Sequence, residues 1–400
     1  MVMALTELVG TLLPALDEAF PTDLVDVLAS FLRRHAGAGE VDLLLADYDL
    51  EILVTIRRDE PSASNRSTPV TGSESGRAYS SQATVVEEAD GDVVVHVPVS
   101  LRAERLGVLR VRLPEPVPPG TLAGLQQVAT VVAYVIFAAG RFTDMIEQAR
   151  RRKPLALDAE MQWTLLPVRA FAGPQFEIAG QLMPAYDVGG DSFDYSVETG
   201  ELHLSVTDAM GHGLGASLLD SLAVAALRNA RRTGADVAEQ AQRAHDALLA
   251  QFGGAQFVTG LVARVQLLTG LVDVVNAGHP WPILLRSGEL TELDLPTQLP
   301  LGLFADTRYR KHQFTLEPGD RLLVISDGVT DAGPARAKPF GEQRLQGLLL
   351  ATADDPPHEA VRHILRTISA YQNEAFRDDA TALCLDWHGG GNADGRTRSD

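Results

Sequence analysis

Residues 185–216, AYDVGGDSFDYSVETGELHLSVTDAMGHGLGA, constrain this chain more than any other stretch. A Gly-Gly turn delivers Asp191 and then Asp194. The alternating apolar run Leu202, Leu204, Val206 delivers Asp208 into a second turn, Ala209 to Gly213. Between them Glu198-Thr199-Gly200 reads as a hairpin turn. Two paired strands that both end in a carboxylate set like charges side by side, which is costly unless a cation lies between them. Asp327, after Val324-Ile325-Ser326, and Asp378-Asp379, before the final apolar run, repeat the pattern. An Asp-Gly after an apolar run is by itself an ordinary turn. Four acidic strand ends in one domain point instead to a hard cation held by oxygen ligands.

The motifs occur in a fixed order: GGDxxD at Gly189, DxxGHG at Asp208, NAGHP from Asn276, SDGVTD from Ser326 and RDDAT from Arg377. This set resembles the SpoIIE/RsbU-type serine phosphatases of the metal-dependent protein phosphatase family. The resemblance implies two metal ions, Mn2+ or Mg2+, with Asp208 bridging both and the Ala209 carbonyl joining one. It aligns Asp191, Asp327 and Asp378 with the remaining acidic ligands. Asp194 and Asp379 are further candidates, either of which could hold a metal-bound water. Ser192 and Ser326 stand where an aromatic residue and a threonine are common, and neither change removes a ligand. His212 and His279 lie between small residues in tight turns; a backbone hydrogen bond there competes with a general-acid role. Asn276 is expected to shape its loop.

Other chemistries lack their parts. The chain has no GxSxG elbow, no GxxxxGK[ST] loop, and its one cysteine, Cys384, sits in an apolar strand. Two cations neutralise the oxygens of a phosphate monoester and acidify the water that attacks it. The resemblance therefore implies a serine/threonine phosphoprotein phosphatase. Its implied substrate is a phosphorylated STAS-domain anti-sigma-factor antagonist, in sigma-factor regulation of a stress response. A catalytically silent scaffold and a hydrolase of a small phosphorylated metabolite are the alternatives.

Length bounds the layout: 400 residues exceed one ordinary core and suit two domains. The net charge of −19 disfavours nucleic acid as a partner. Met1–Gly10 lacks the basic start of a signal peptide. Leu122–Gly140 is long and uncharged enough to span a membrane. Its glutamines, threonine and glycines favour a buried helix instead, so no membrane association and a cytoplasmic location are expected.

The fold class expected is α+β. Residues 1–119 show two helices around Pro21, strands at 41–46, 51–56, 82–87, 93–99 and 106–113, and a polar surface loop at 57–81. This order resembles a GAF-type sensor or dimerisation domain. Residues 120–167 read as a helical linker, continuous from Thr121 through Lys153, with an apolar stripe from Val128 to Ile146 and a second helix at 155–166. The stripe predicts a homodimer through the linker helices. Residues 168–388 mix antiparallel strands with helices, and the resemblance makes them an α/β/β/α sandwich. A Gly-rich disordered tail is expected at 389–400.

Overall fold

The computed structural model describes residues 5–56, 67–89, 91–186, 189–333, 339–372 and 378–391. The chain divides into two compact units, 1–154 and 155–400.

In the first unit, α1 (Leu5–Glu18) and α2 (Leu24–Ala36) precede β1 (Val41–Ala46), β2 (Ile52–Thr55) and β3 (Ser67–Pro69). Then come α3 (Glu74–Ser81), β4 (Val85–Ala89), β5 (Asp92–Leu101), β6 (Glu104–Pro114), α4 (Thr121–Ala139) and α5 (Met145–Ala149). The strands form one antiparallel sheet in the order β3-β2-β1-β6-β5-β4. Leu28, Leu32, Leu43, Leu45, Val95 and Val111 pack with α4 in the main core. The other face carries Leu44, Leu53 and Val108 against Ala78 and Tyr79 of α3. Both faces of β1 are covered, so all six of its residues are buried.

Two expectations are corrected here. The polar stretch 57–81 is not all loop: residues 67–81 form β3 and α3, while 57–66 lie outside the described residues. The serines that suggested a loop include a helix cap, since Ser73 Oγ accepts the Gly76 N–H at 3.0 Å. The helix from Thr121 does not run on to Lys153. It ends at Ala139 before Gly140, and only the short α5 follows. Val128, Val132, Ile136 and Ile146 are all buried in the unit's own core. The apolar stripe thus records packing inside the unit. α4 alone among the described helices has the length and apolarity to cross a membrane.

The β1–β2 turn ties down the end of this unit. Asp47 Oδ1 accepts the N–H groups of Glu51 and Ile52 at 2.9 and 3.2 Å. Arg152 reaches Asp47 and Glu51 at 3.0 Å each, and Arg150 Nε donates to the Ala46 carbonyl at 3.1 Å.

The second unit opens with α6 (Leu157–Leu165), β7 (Ala170–Ala172), β8 (Phe176–Met183), β9 (Asp191–Glu198) and β10 (Glu201–Ala209). After α7 (Leu214–Arg232) and α8 (Val237–Phe252) come β11 (Val258–Gln266), β12 (Leu271–Ala277), β13 (Ile283–Arg286), β14 (Glu289–Glu292), β15 (His312–Thr315) and β16 (Arg321–Ile325). It closes with α9 (Asp327–Thr330), α10 (Glu342–Ala351), α11 (Pro357–Tyr371) and β17 (Ala380–Trp387). Two antiparallel sheets result, β15-β12-β11-β10-β9 and β14-β13-β16-β17-β8-β7. Phe193, Leu204, Val206 and Leu261 from one meet Ile178, Val324, Leu383 and Trp387 from the other. On the outer faces α7 and α8 cover Val262 and Val275, while α10 and α11 cover Leu323 and Cys384. Period-two alternation produces this: Leu383 and Leu385 face the partner sheet, and Cys384 faces the helices. The layers are therefore helix, sheet, sheet, helix. Most of the expected tail, 392–400, lies outside the described residues, and His388 N donates to Gln175 O at 2.8 Å.

Candidate metal centre

The β9–β10 hairpin turns at Thr199-Gly200, where Gly200 has φ +78°. From there the register runs without a bulge to its open end, where Asp208 lies directly opposite Asp191. Asp208 is two residues past Val206, and Asp191 two before Phe193. Both therefore share the strand face that lines the space between the sheets. β16 and β17 end at the same mouth and bring Asp327, Asp378 and Asp379 there. Burial and the charges of Asp208 and Asp379 push the Asp191 carboxyl well above its ordinary range. Asp208 is raised by burial and then by Asp327, Asp378 and Asp379. Asp327 and Asp378 are raised by burial, and Asp331 stands close enough to raise both further.

Each of the five acidic strand ends thus has at least one of the others as a charged neighbour. Among the described residues no three of these side chains yet converge on one point as a finished cage. The donor set nevertheless fits a hard divalent cation. It is all oxygen, rich in carboxylates that repel one another, and it includes the buried Asp191 Oδ2, which has no hydrogen-bond partner. Ala209, whose carbonyl the resemblance also implicates, is buried, and its N–H donates to Gly190 O at 3.0 Å.

Asp379 does something other than its neighbours. Its Oδ2 accepts the backbone N–H groups of Gly189, Gly190 and Asp191 at 2.5, 2.7 and 3.3 Å. These three bonds fasten the turn that carries Asp191 to the start of β17. Gly190 has no room for a side chain, since a Cβ there would stand 2.7 Å from the Ala209 carbonyl oxygen. Asp187 and Val188 of the same turn, and Arg377 of the last motif, lie outside the described residues.

Asp194 does not join the centre. It alternates with Phe193 and Tyr195 and so faces α7, where Arg228 and Arg231 hold its two oxygens at 2.7 and 2.8 Å. This ion pair between sheet and helix buries Asp194 against two partly buried arginines, and it leaves neither Asp194 oxygen free to hold a water at the mouth. The His279 main chain is held locally, while its ring Nδ1 lies 3.4 Å from Thr259 Oγ1 and its buried Nε2 has no hydrogen-bond partner among the described residues. Its N–H and carbonyl bond the Asn276 side chain at 2.8 and 2.9 Å, which confirms the loop-shaping part expected of Asn276. Burial lowers the His279 ring to about 3, so it is neutral at ordinary pH. His212 is exposed, and its charge counteracts the upward shift of Asp378.

Three contributors were not singled out from sequence. Thr259 Oγ1 donates to Asp208 Oδ2 at 3.5 Å. Asp331 closes the SDGVTD motif. Asp220, buried on α7, accepts from Thr207 Oγ1 at 2.6 Å, and Thr207 also bonds Ser192 at 2.9 Å. The available signal for Asp220 is an acid on the apolar face of a helix, between Leu219 and Ala223.

α6 touches the segments on both sides of the hairpin. Trp163 Nε1 donates to the Ala185 carbonyl at 2.7 Å, just ahead of the Gly-Gly turn. Arg228, already bound to Asp194, donates to the Leu165 carbonyl at 2.7 Å. A Cβ at Gly213, in the turn after Asp208, would lie 3.6 Å from the Asp158 carboxylate.

Comparison with known proteins agrees with this layout. Residues 198–388 match the family model described as Stage II sporulation protein E (SpoIIE). The chain is 23% identical to phosphoserine phosphatase RsbU of Bacillus subtilis over 240 residues, 60% of this chain and 71% of that protein. It is 24% identical over 220 residues to phosphoserine phosphatase RsbP of the same organism, about half of each chain (53% and 52%). The SiaA-PP2C domain of Pseudomonas aeruginosa superposes with a TM-score of 0.50 at 25% identity, covering 57% of this chain and 94% of that domain.

Proposed function

Because its C-terminal unit belongs to the SpoIIE/RsbU-type serine phosphatases, a class of metal-dependent protein serine/threonine phosphatases, we propose what this chain acts on and with which residues. The substrate is a phosphorylated STAS-domain anti-sigma-factor antagonist, and the cofactors are two Mn2+ or Mg2+ ions. Asp191, Asp208, Asp327, Asp378 and the Ala209 carbonyl would hold them. The observation that carries this reading is the register of Asp191 against Asp208, with Asp327 and Asp378 at the same mouth.

When bound, the cations neutralise the phosphoryl oxygens and make water acidic enough to attack phosphorus directly. The chain's own part is to hold carboxylates at the ends of rigid strands. Cys384 takes no part: it is buried on the helix side of its sheet, and burial pushes its thiol far up.

The N-terminal unit is proposed to be a GAF-like sensor that regulates the phosphatase, its central sheet between helical layers supporting that reading. In this proposal α6 transmits the signal, a reading supported by its bond to the segment leading to Asp191 and its position beside the turn following Asp208. The exposed Tyr134, Phe137 and Phe142 support a homodimer through the helices before the junction. A cytoplasmic location suits such a regulator.

The test is phosphate release from a phosphorylated STAS protein and from a generic ester, each with and without Mn2+. Mn2+-dependent release from the phosphoprotein, far above that from the ester, is expected. Release from the ester alone would favour a metabolite hydrolase, and no release from either would leave a scaffold.

A further inference from the structure

Beside the acidic mouth the phosphatase unit has a half-open pocket of about 310 Å³. Ile325 and Thr330, which flank the Asp327 turn, form part of its wall. Thr330 Oγ1 donates to the Asp327 carbonyl at 3.1 Å, so the pocket and the turn share one short helix. Ile283 and Leu345 give it an apolar floor. Trp281 stands at the side, 41% exposed, with Nε1 fixed on Thr297 Oγ1 at 3.1 Å.

Two carboxylates, Glu292 and Glu342, line the same pocket. Glu292 is held opposite Ile283 by the β13–β14 register, and Glu342 is the first residue of α10. Neither has an ion-pair partner among the described residues. An apolar floor, an indole wall and two carboxylates with no ion-pair partner among the described residues suit a side chain with an aliphatic stem and a cationic head. An acidic side chain would be repelled, and a purely apolar one would gain nothing from either glutamate.

We propose that this pocket is a substrate subsite that receives an arginine or lysine side chain flanking the phosphorylated residue of the phosphoprotein. The subsite rests on the phosphatase reading, and it would select substrates by a neighbour of the phosphoserine rather than by the phosphate.

The experiment uses the full chain with Mn2+ and phosphoserine peptides that differ at one flanking position, arginine against alanine, scanned over both sides of the phosphoserine. The readout is the ratio of kcat/KM for each pair. Both peptides meet the same enzyme sample, so any loss of folded protein cancels. The wild type is expected to favour arginine about tenfold at one position. Glu292→Gln with Glu342→Gln should bring that ratio close to one, and Glu342→Lys should turn the preference toward a glutamate peptide. Equal ratios at every position in the wild type, or a preference that survives these substitutions, would overturn the subsite alone. If the wild type hydrolyses neither the peptides nor any phosphoserine protein, the phosphatase reading falls and the subsite with it.

Discussion

Asp208 and Asp379 differ at the residue scale although both are acids at one mouth, the first half-buried and the second buried. Asp208 faces other carboxylates, so replacing it by a neutral isostere removes repulsion from the metal-free protein. Asp208→Asn should reduce phosphatase activity to background while the metal-free melting temperature stays equal or rises; turnover assays and thermal melts check both. Asp379 binds three backbone amides, a task that needs an acceptor more than a ligand. Asp379→Ala should weaken Mn2+ binding by about 10–100-fold, as loss of a ligand's support does. Asp379→Asn keeps an acceptor oxygen and should stay within about threefold of wild type by calorimetry. Sequence reading found both residues because each borders an apolar run, Asp208 after one and Asp379 before one. It could not separate their roles, because adjacent positions differ in which group they face, and that depends on how β17 meets the Gly-Gly turn.

Among elements, the β9–β10 hairpin was the most legible. Its alternation, its Thr199-Gly200 turn and its terminal acids all lie within one short stretch, so register follows from local chemistry. Asp194 shows what such a reading misses. Parity turns it toward α7, yet the arginines that meet it stand more than thirty residues away. This pair joins β9 to the helix with its carboxylate buried and its arginines partly exposed, so Asp194→Asn should lower stability by about 1–3 kcal/mol in denaturant titration. Mn2+ affinity of the folded fraction should be unchanged. A large loss of affinity without loss of stability would return Asp194 to the metal site. α4 misled for the opposite reason: an apolar stripe states that a face is covered, not by what, and here its own unit covers most of it.

At the scale of the whole molecule, two units were legible from length, but the expected helical linker at 120–167 was not, because α4 packs into the first unit's core and the division falls after Pro154. If α6 carries a signal, a truncation starting at Phe176 loses Trp163, Asp158 and their contacts. That truncation should then differ from the full chain in Mn2+ dependence by at least about threefold, and only the full chain should sediment as a dimer. Identical titrations with a monomeric full chain would make the N-terminal unit a passenger. The placement of β17 also bears on how the protein is made. It is the last strand of the sandwich in sequence but lies inside its sheet, paired with β16 on one edge and β8 on the other. The bonds that fasten the Gly-Gly turn span almost 190 residues of chain. During synthesis β8 and β16 must wait, with this gap open between them, until β17 has left the ribosome. A ribosome that stalls short of it releases no weakened phosphatase but a split sheet with two sticky edges, a substrate for chaperones and proteases.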